Sequence, residues 1–360
     1  MFAKSANLTK RSFSSGVNLA SKTHPGVTYS VKNQLLINGQ WRDAAGGQTF
    51  DTVNPGTGEV ITQVASAGVQ DINDAVQAAT DAAKIWENVP PFARSALMHK
   101  FADKLEGHID ELVTLECEDN GKQYGDAFGD AMFCITLLRY YAGLAMDIKG
   151  SSMMRDNFGV YQNSYAYTRR DPVGVCGLIT PWNYPMLMTM FKIAPMLASG
   201  CTGVSKLPEL TPLSSLRMLE LWHEVEGVVP GVINAVPGIG ADAGEALVDH
   251  PDVAKIAFTG STATGRRIQQ RGAETMKRVS LELGGKGPLI IFGDADIGKA
   301  IATAAGSSMV NSGQMCAAAT RIIVEDSVYD QVVEGLSDAV SNMTFGYWRD
   351  GDFNKGPVIS

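Results

Sequence analysis

The sequence predicts an α/β protein built on a doubly wound parallel sheet, and three observations carry that expectation. From Val173 onward, short apolar segments alternate with segments of helical period. Such alternation produces parallel strands joined by crossover helices. Ahead of them lies a run of helices. Between a strand and a helix sits a turn rich in glycine and hydroxyls, residues 258–265, at the place where such sheets take ligands.

In chain order, residues 35–41 read as strand, Asn38-Gly39 turn and strand. Pro55, Gly56 and Gly58 mark a second turn between strands. Asp71 is placed to cap a first helix, whose apolar face is Ile72, Val76, Ala79, Ala83 and Trp86. Helices follow over 92–105, 109–120 (with Gly121 as the stop) and 126–145. Residues 151–171, with Tyr161, Tyr165 and Tyr167 alternating, read as an extended arm. The sheet strands are expected at 173–179, 202–206, 232–236, 255–258 and 279–283. The helices between them fall at 185–198, 213–226, 241–248 and 265–272, the second starting at Thr211-Pro212 and stopping at Gly227.

The net charge of −8 and the lack of any basic stripe argue against a nucleic-acid partner. The longest uncharged run, 172–191, contains three prolines and does not read as a membrane span. Five cysteines, at 117, 134, 176, 201 and 316, form no CxxC pair, which points away from a disulfide framework or a metal site and toward a reducing compartment. Residues 1–24 carry Lys4, Lys10, Arg11 and Lys22, five serines and no acid. That composition reads as a transit peptide or a disordered tail, and Arg11-Ser12-Phe13-Ser14-Ser15 resembles a mitochondrial processing site. The expected destination is the mitochondrial matrix, with the cytoplasm as the alternative.

Several stretches carry chemistry. In 310–321 a single cysteine, Cys316, lies among small residues after Gly313-Gln314. It reads as a nucleophile that a substrate carbon can approach, with turn N–H groups for an oxyanion, or as an inert buried thiol. Thr180-Pro181-Trp182-Asn183-Tyr184-Pro185 ends a strand and holds Asn183 between prolines, as an amide donor or a plain turn asparagine. Glu282 lies between Leu281 and Leu283 and before Gly284-Gly285. In apolar surroundings its pKa would rise and suit a general base; otherwise it is an edge glutamate. Lys206 and Glu209 follow a strand, as ribose contacts or a surface ion pair. The turn from Gly260 and Ser261 to Gly265 suits a phosphate or is an ordinary strand–helix turn.

Taken together and in this order, these stretches resemble the NAD(P)-dependent aldehyde dehydrogenase superfamily, in wording nearest its betaine-aldehyde and general non-acylating branch. One departure is Leu207, where the family carries proline. The resemblance implies Cys316 as nucleophile, Asn183 as oxyanion donor and Glu282 as general base. It implies cofactor contacts at Thr180, Pro181, Trp182, Lys206, Glu209, Gly260, Ser261, Gly265, Leu283 and Gly284. NAD is expected, because Glu209 would repel a 2′-phosphate. An aldehyde substrate of broad specificity is expected, with Tyr184 and Phe191 as aromatic wall. A homodimer or homotetramer, no nucleic acid, no membrane and no metal complete the implied profile.

The implied division is a cofactor domain at 25–150 and 172–284, an oligomerisation arm at 151–171 and an incomplete catalytic domain from 285 to 360. Family members run on well past the residue at which this sequence stops, so a truncated, non-catalytic relative with a binding or scaffold role is the alternative. Val332, Val333, Leu336 and Val340 are then expected to expose apolar surface.

Overall fold

The computed structural model describes residues 16–24, 26–153 and 165–360. Most of the predicted transit peptide and Tyr161 of the predicted arm lie outside them. Two short antiparallel ribbons open the chain, β1 (Val17–Ala20) with β2 (Thr28–Val31), and β3 (Leu35–Ile37) with β4 (Gln40–Arg42). A third ribbon pairs β5 (Thr49–Val53) with β6 (Val60–Ala65). Four helices follow: α1 (Val69–Trp86), α2 (Pro91–Gly107), α3 (Ile109–Asn120) and α4 (Tyr124–Leu144).

Asp71 does not occupy the cap position of α1 that the sequence suggested. Gly68 is the N-cap, and Asp71 sits three residues inside, accepting from the Gly68 N–H at 3.0 Å and the Ala45 N–H at 3.0 Å. Its carboxylate thus satisfies donors from two segments at once. Gly121 ends α3 with φ 87°, a left-handed cap that glycine adopts without a Cβ clash.

The short ribbon β7 (Ser152–Met153) with β8 (Ala166–Tyr167) precedes the main sheet. Then come β9 (Val175–Ile179), α5 (Pro185–Ala198), β10 (Thr202–Leu207), α6 (Leu213–His223), β11 (Ile233–Pro237), α7 (Glu245–Asp249), β12 (Val253–Gly260), α8 (Thr262–Ala273) and β13 (Arg278–Leu283). α6 stops at His223, short of the Gly227 expected from sequence, and Gly227 (φ 93°) shapes the turn that follows. A wide turn, Gly240–Gly244, leads into α7.

The seven-stranded sheet runs β13-β12-β9-β10-β11-β3-β4. Its first five strands are mutually parallel, and β3 joins β11 antiparallel. Every residue of β9, β10 and β11 is buried, as expected for strands covered on both faces. α1, α7 and α8 cover one face and α5 and α6 the other, with α2 to α4 packed outside α5 and α6. Trp222 anchors that outer layer, with edge-on contacts to Trp86 at 6.0 Å and Phe101 at 5.4 Å. Because β9 lies between β10 and β12, the chain leaves β9 in opposite directions along the sheet, and the crevice at its carboxyl end is a topological switch point.

The last segment carries β14 (Pro288–Ile291), α9 (Ile297–Ser308), β15 (Arg321–Val324) and α10 (Tyr329–Ser341). β14 and β15 pair in parallel. Of the four α10 residues expected to be exposed, Val333 is exposed, Leu336 and Val340 are half-buried, and Val332 is buried, because α10 packs on α9.

Candidate active site

Thr180 follows the last residue of β9, and the turn 180–184 carries the chain over the sheet edge into α5. Pro185 starts that helix at a position where its missing N–H is no loss. The turn is pinned from three sides. The Trp182 carbonyl accepts from Asn120 Nδ2 at 2.7 Å and Thr211 Oγ1 at 2.8 Å. The Asn183 carbonyl accepts from Asn311 Nδ2 at 2.9 Å. The Asn183 carboxamide donates to the Gln314 carbonyl at 2.8 Å, which sets it against the turn that carries Cys316.

Beneath the turn lies a buried ionic cluster. Lys122 Nζ is 2.8 Å from both Glu116 Oε1 and Asp130 Oδ2, and 4.1 Å from the centre of the Tyr184 ring. Burial alone would depress the Lys122 ammonium, but the two carboxylates push it above its ordinary value. Asp130 is pushed up to about 6 by burial, with Lys122 opposing.

Across the cleft, Asn311 (φ 49°), Ser312 (φ 57°) and Gly313 (φ 82°) make three successive left-handed residues ahead of Cys316. Serine rarely adopts this conformation. Here tertiary bonds hold it: Ser312 Oγ donates to the Gly356 carbonyl at 2.7 Å, and the Ile359 N–H donates to Gln314 Oε1 at 2.9 Å. Cys316 itself is exposed on a turn.

Glu282 departs from the expectation of apolar surroundings. β13 is an edge strand with alternating exposure, and Glu282 is on its exposed face. The two flanking leucines point the other way, where Leu283 packs against Gly265; a Cβ there would lie 2.7 Å from Leu283 Cδ2. Gly265 therefore serves close packing of α8 on β13 and does not line the crevice.

Two clefts meet at Pro181, Trp182, Gly260 and Ser261. One, of about 400 Å³, is lined by Thr180, Lys206 and Glu209. Lys206 lies inside β10, buried, with Nζ 3.0 Å from Glu209 Oε2. Burial pulls the ammonium down, and Glu209 opposes this. The same cleft takes in the N-terminus of α8, where Ser261 Oγ accepts the Thr264 N–H at 3.2 Å. The second cleft, of about 530 Å³, brings together Asn183, Glu282, Leu283, Gly284 and Cys316, with Tyr184 and Phe191 as aromatic wall. Carboxylate, buried cation and helix N-terminus at one end, with thiol, amide and carboxylate at the other, suit a dinucleotide laid across both.

Sequence reasoning missed Lys192. Its Nζ donates to Thr259 Oγ1 at 2.6 Å in the wall that Glu282 and Cys316 share. Burial pushes it down to about 8, and Glu282 opposes this. No local pattern marks it, since it is the one charged residue on a largely apolar helix. Gln314, whose carbonyl accepts from Asn183 and whose side chain accepts from the Ile359 N–H, is a second residue that the local pattern does not mark.

The chain matches the aldehyde dehydrogenase family over residues 41–360. It is 42% identical over 332 residues to the mitochondrial aldehyde dehydrogenase of Homo sapiens, covering 91% of this chain and 63% of that one. It is 41% identical over 345 residues to the cytosolic 10-formyltetrahydrofolate dehydrogenase of Mus musculus, covering 95% of this chain and 38% of that protein. Among solved structures, the NAD+ complex of an aldehyde dehydrogenase from Bacillus cereus superposes with TM-score 0.87 at 42% identity, covering 91% and 66% of the two chains. A betaine aldehyde dehydrogenase from Staphylococcus aureus, solved with NAD+, gives 0.88 at 36%, covering 92% and 65%. The chain thus spans less than two thirds of these relatives.

Proposed function

This chain belongs to the aldehyde dehydrogenase family, and from that premise we propose that it oxidises aldehydes to carboxylic acids with NAD as hydride acceptor. The observation that carries the reading is the meeting of Asn183, Glu282 and Cys316 in one cleft, with Asn183 hydrogen-bonded to the turn of Cys316.

The Cys316 thiolate attacks the aldehyde carbon. The Asn183 carboxamide turns from the Gln314 carbonyl to the oxyanion, joined by the Cys316 N–H. Bound NAD supplies the acceptor for the hydride that leaves the thiohemiacetal carbon. Lys206 and Glu209 would hold its ribose, and Gly260 and Ser261 its pyrophosphate, with Thr180, Pro181, Trp182, Leu283 and Gly284 along the path. Glu282, exposed to solvent, then takes a proton from the water that hydrolyses the Cys316 thioester. The Glu209 carboxylate favours NAD over NADP.

Phe191 and Tyr184 support a broad aldehyde specificity. We read 25–150 with 172–284 as the cofactor-binding unit and 285–360 as part of a catalytic unit. The exposed tyrosines 165 and 167 of β8 support a self-association arm and a homo-oligomer. The acid-free N-terminus supports the mitochondrial matrix, with the cytoplasm as alternative.

The test is NADH formation from an aliphatic aldehyde. In the protein extended to the length of its relatives, the wild type should produce NADH, Cys316→Ala none, and Glu282→Gln a single burst followed by slow turnover. Turnover surviving Cys316→Ala would remove the nucleophile assignment. No NADH from the wild type would favour the non-catalytic relative.

A further inference from the structure

Nothing in the proposed chemistry uses the N-terminal ribbon, yet it is tied to the turn that carries Cys316. The tie runs through residues 344–359, at the other end of the chain. We propose that Trp348 and Arg349 are positioning residues for Cys316, with the ribbon of β1 and β2 as the strap that holds them.

The ribbon is fixed to α3 at Asp110, which accepts from Ser21 Oγ and Tyr29 OH, each at 2.6 Å, and from Thr23. Val17 and Ser21 are buried, and Leu19 packs on the core that includes Trp348. From this base the ribbon reaches across 326 residues of sequence, where Lys22 Nζ donates to the Trp348 carbonyl and lies 5.4 Å from the centre of its ring. Arg349 Nη2 donates to the Ala20 carbonyl at 2.7 Å, and the guanidinium lies 4.3 Å from the same ring. Trp348 is fully buried, among these two cations and the rings of Tyr124 and Tyr347.

Arg349 also reaches inward. Its Nε donates to Glu118, a side chain only 5% exposed, which accepts from Tyr347 OH at 2.7 Å as well. Among the described residues Arg349 is the one cation paired with Glu118. A buried carboxylate without its cation is costly, so the pair fixes Arg349 between α3 and the ribbon.

The same segment holds the Cys316 turn. The Gly346 N–H donates to the Lys355 carbonyl at 3.1 Å, and the Lys355 N–H to the Thr344 carbonyl at 3.0 Å, which closes 344–355 into a loop. Just beyond it, the Gly356 carbonyl accepts from Ser312 Oγ and the Ile359 N–H donates to Gln314 Oε1. Gly356 is wedged against the cap of α3, where a Cβ would run into the Gly121 carbonyl. Ser312 is left-handed, a conformation that serine rarely holds without such support. Ribbon, loop and turn are therefore one series of contacts, and loosening the first frees the last. It follows that residues 16–24 belong to the working protein, and that a leader, under the mitochondrial reading above, is cut ahead of Gly16.

The catalytic consequence rests on the aldehyde reading, but the first test does not. Hydrogen exchange of the full chain, read by mass, needs neither NAD nor aldehyde. Lys22→Met with Arg349→Ala should speed exchange in 308–320 and 344–359 by about tenfold or more and leave β9 and β10 unchanged. Arg349→Lys, which still gives Glu118 a cation, should keep most of the protection. Removing residues 1–15 should change nothing, and removing 1–24 should match the double variant. Exchange that stays unchanged in 308–320, or rises equally in β9 and β10, would overturn the proposal. In the protein extended to the length of its relatives, the double variant should lower kcat about tenfold with KM for NAD unchanged, and the reverse split would also overturn it. A local rise in exchange in a protein whose wild type makes no NADH would uphold the strap while the oxidation reading fell.

Discussion

On one side of the cleft, Asn183 stands on a turn whose Trp182 and Asn183 carbonyls are engaged, above a buried lysine that bridges the buried Glu116 and the partly exposed Asp130. On the other side, Cys316 and Glu282 sit on an exposed turn and an exposed edge strand. In the first wall, removing Lys122 would leave Glu116 and Asp130 without their cation. The second wall is more open: the Cys316 turn is held by Ser312, Gln314 and Asn311, and Glu282 by the pairing of β13 with β12. Under the proposed roles, the oxyanion donor stands on the held wall and turns toward the substrate, whereas the nucleophile and base stand on the reachable one.

The comparison breaks most visibly at Lys122. Lys122→Met leaves Glu116 and Asp130 without a cation, and should reduce stability by about 3–5 kcal/mol. Lys286→Met, at an exposed position across the cleft, should change it by less than about 0.5 kcal/mol. Urea unfolding followed by tryptophan fluorescence measures both, and equal losses would mean the two walls do not differ as described. A smaller effect is expected at Asn183. Asn183→Ala should lower kcat by about 10²–10³-fold while the urea midpoint stays near wild type. A collapse of stability instead would make Asn183 a structural residue of the held wall.

The finest test uses pH. Asp119, fully buried beside the same cluster, accepts from Thr52 Oγ1 at 2.5 Å and the Leu213 N–H at 2.7 Å, yet burial pushes it from its ordinary 3.8 up to about 7. Its folded pKa lies above its unfolded one, so its contribution to stability is full below about pH 4 and is lost as pH rises through about 7. The Asp119→Asn variant should lack that decline, so its Tm difference from wild type should shift in the variant's favour between pH 5 and pH 8. A difference independent of pH would show that Asp119 does not titrate there.

The alternation of apolar strand and helix made the parallel sheet readable, and some boundaries, such as Pro185–Ala198 and Ile109–Asn120, coincide with the reading from local signals. Proline at a helix start and glycine at a helix stop act through their own backbone, so neighbours along the chain suffice to reveal them. Local context also singled out Asn183, Glu282 and Cys316 as candidates, because residue type and immediate neighbours limit what a side chain can do. Their burial and partners were another matter. Leu281-Glu282-Leu283 reads the same on a covered strand as on an edge, and only the strand order made β13 the edge. Lys192 meets Thr259 across 67 residues, and Asn183 meets Gln314 across 131. Sequence periodicity reports which face of an element is apolar, but not which polar group from another element will face it. Those pairings and the Lys122 cluster under Tyr184 exist only once the layers have packed, because each depends on excluding water from two distant segments at the same point.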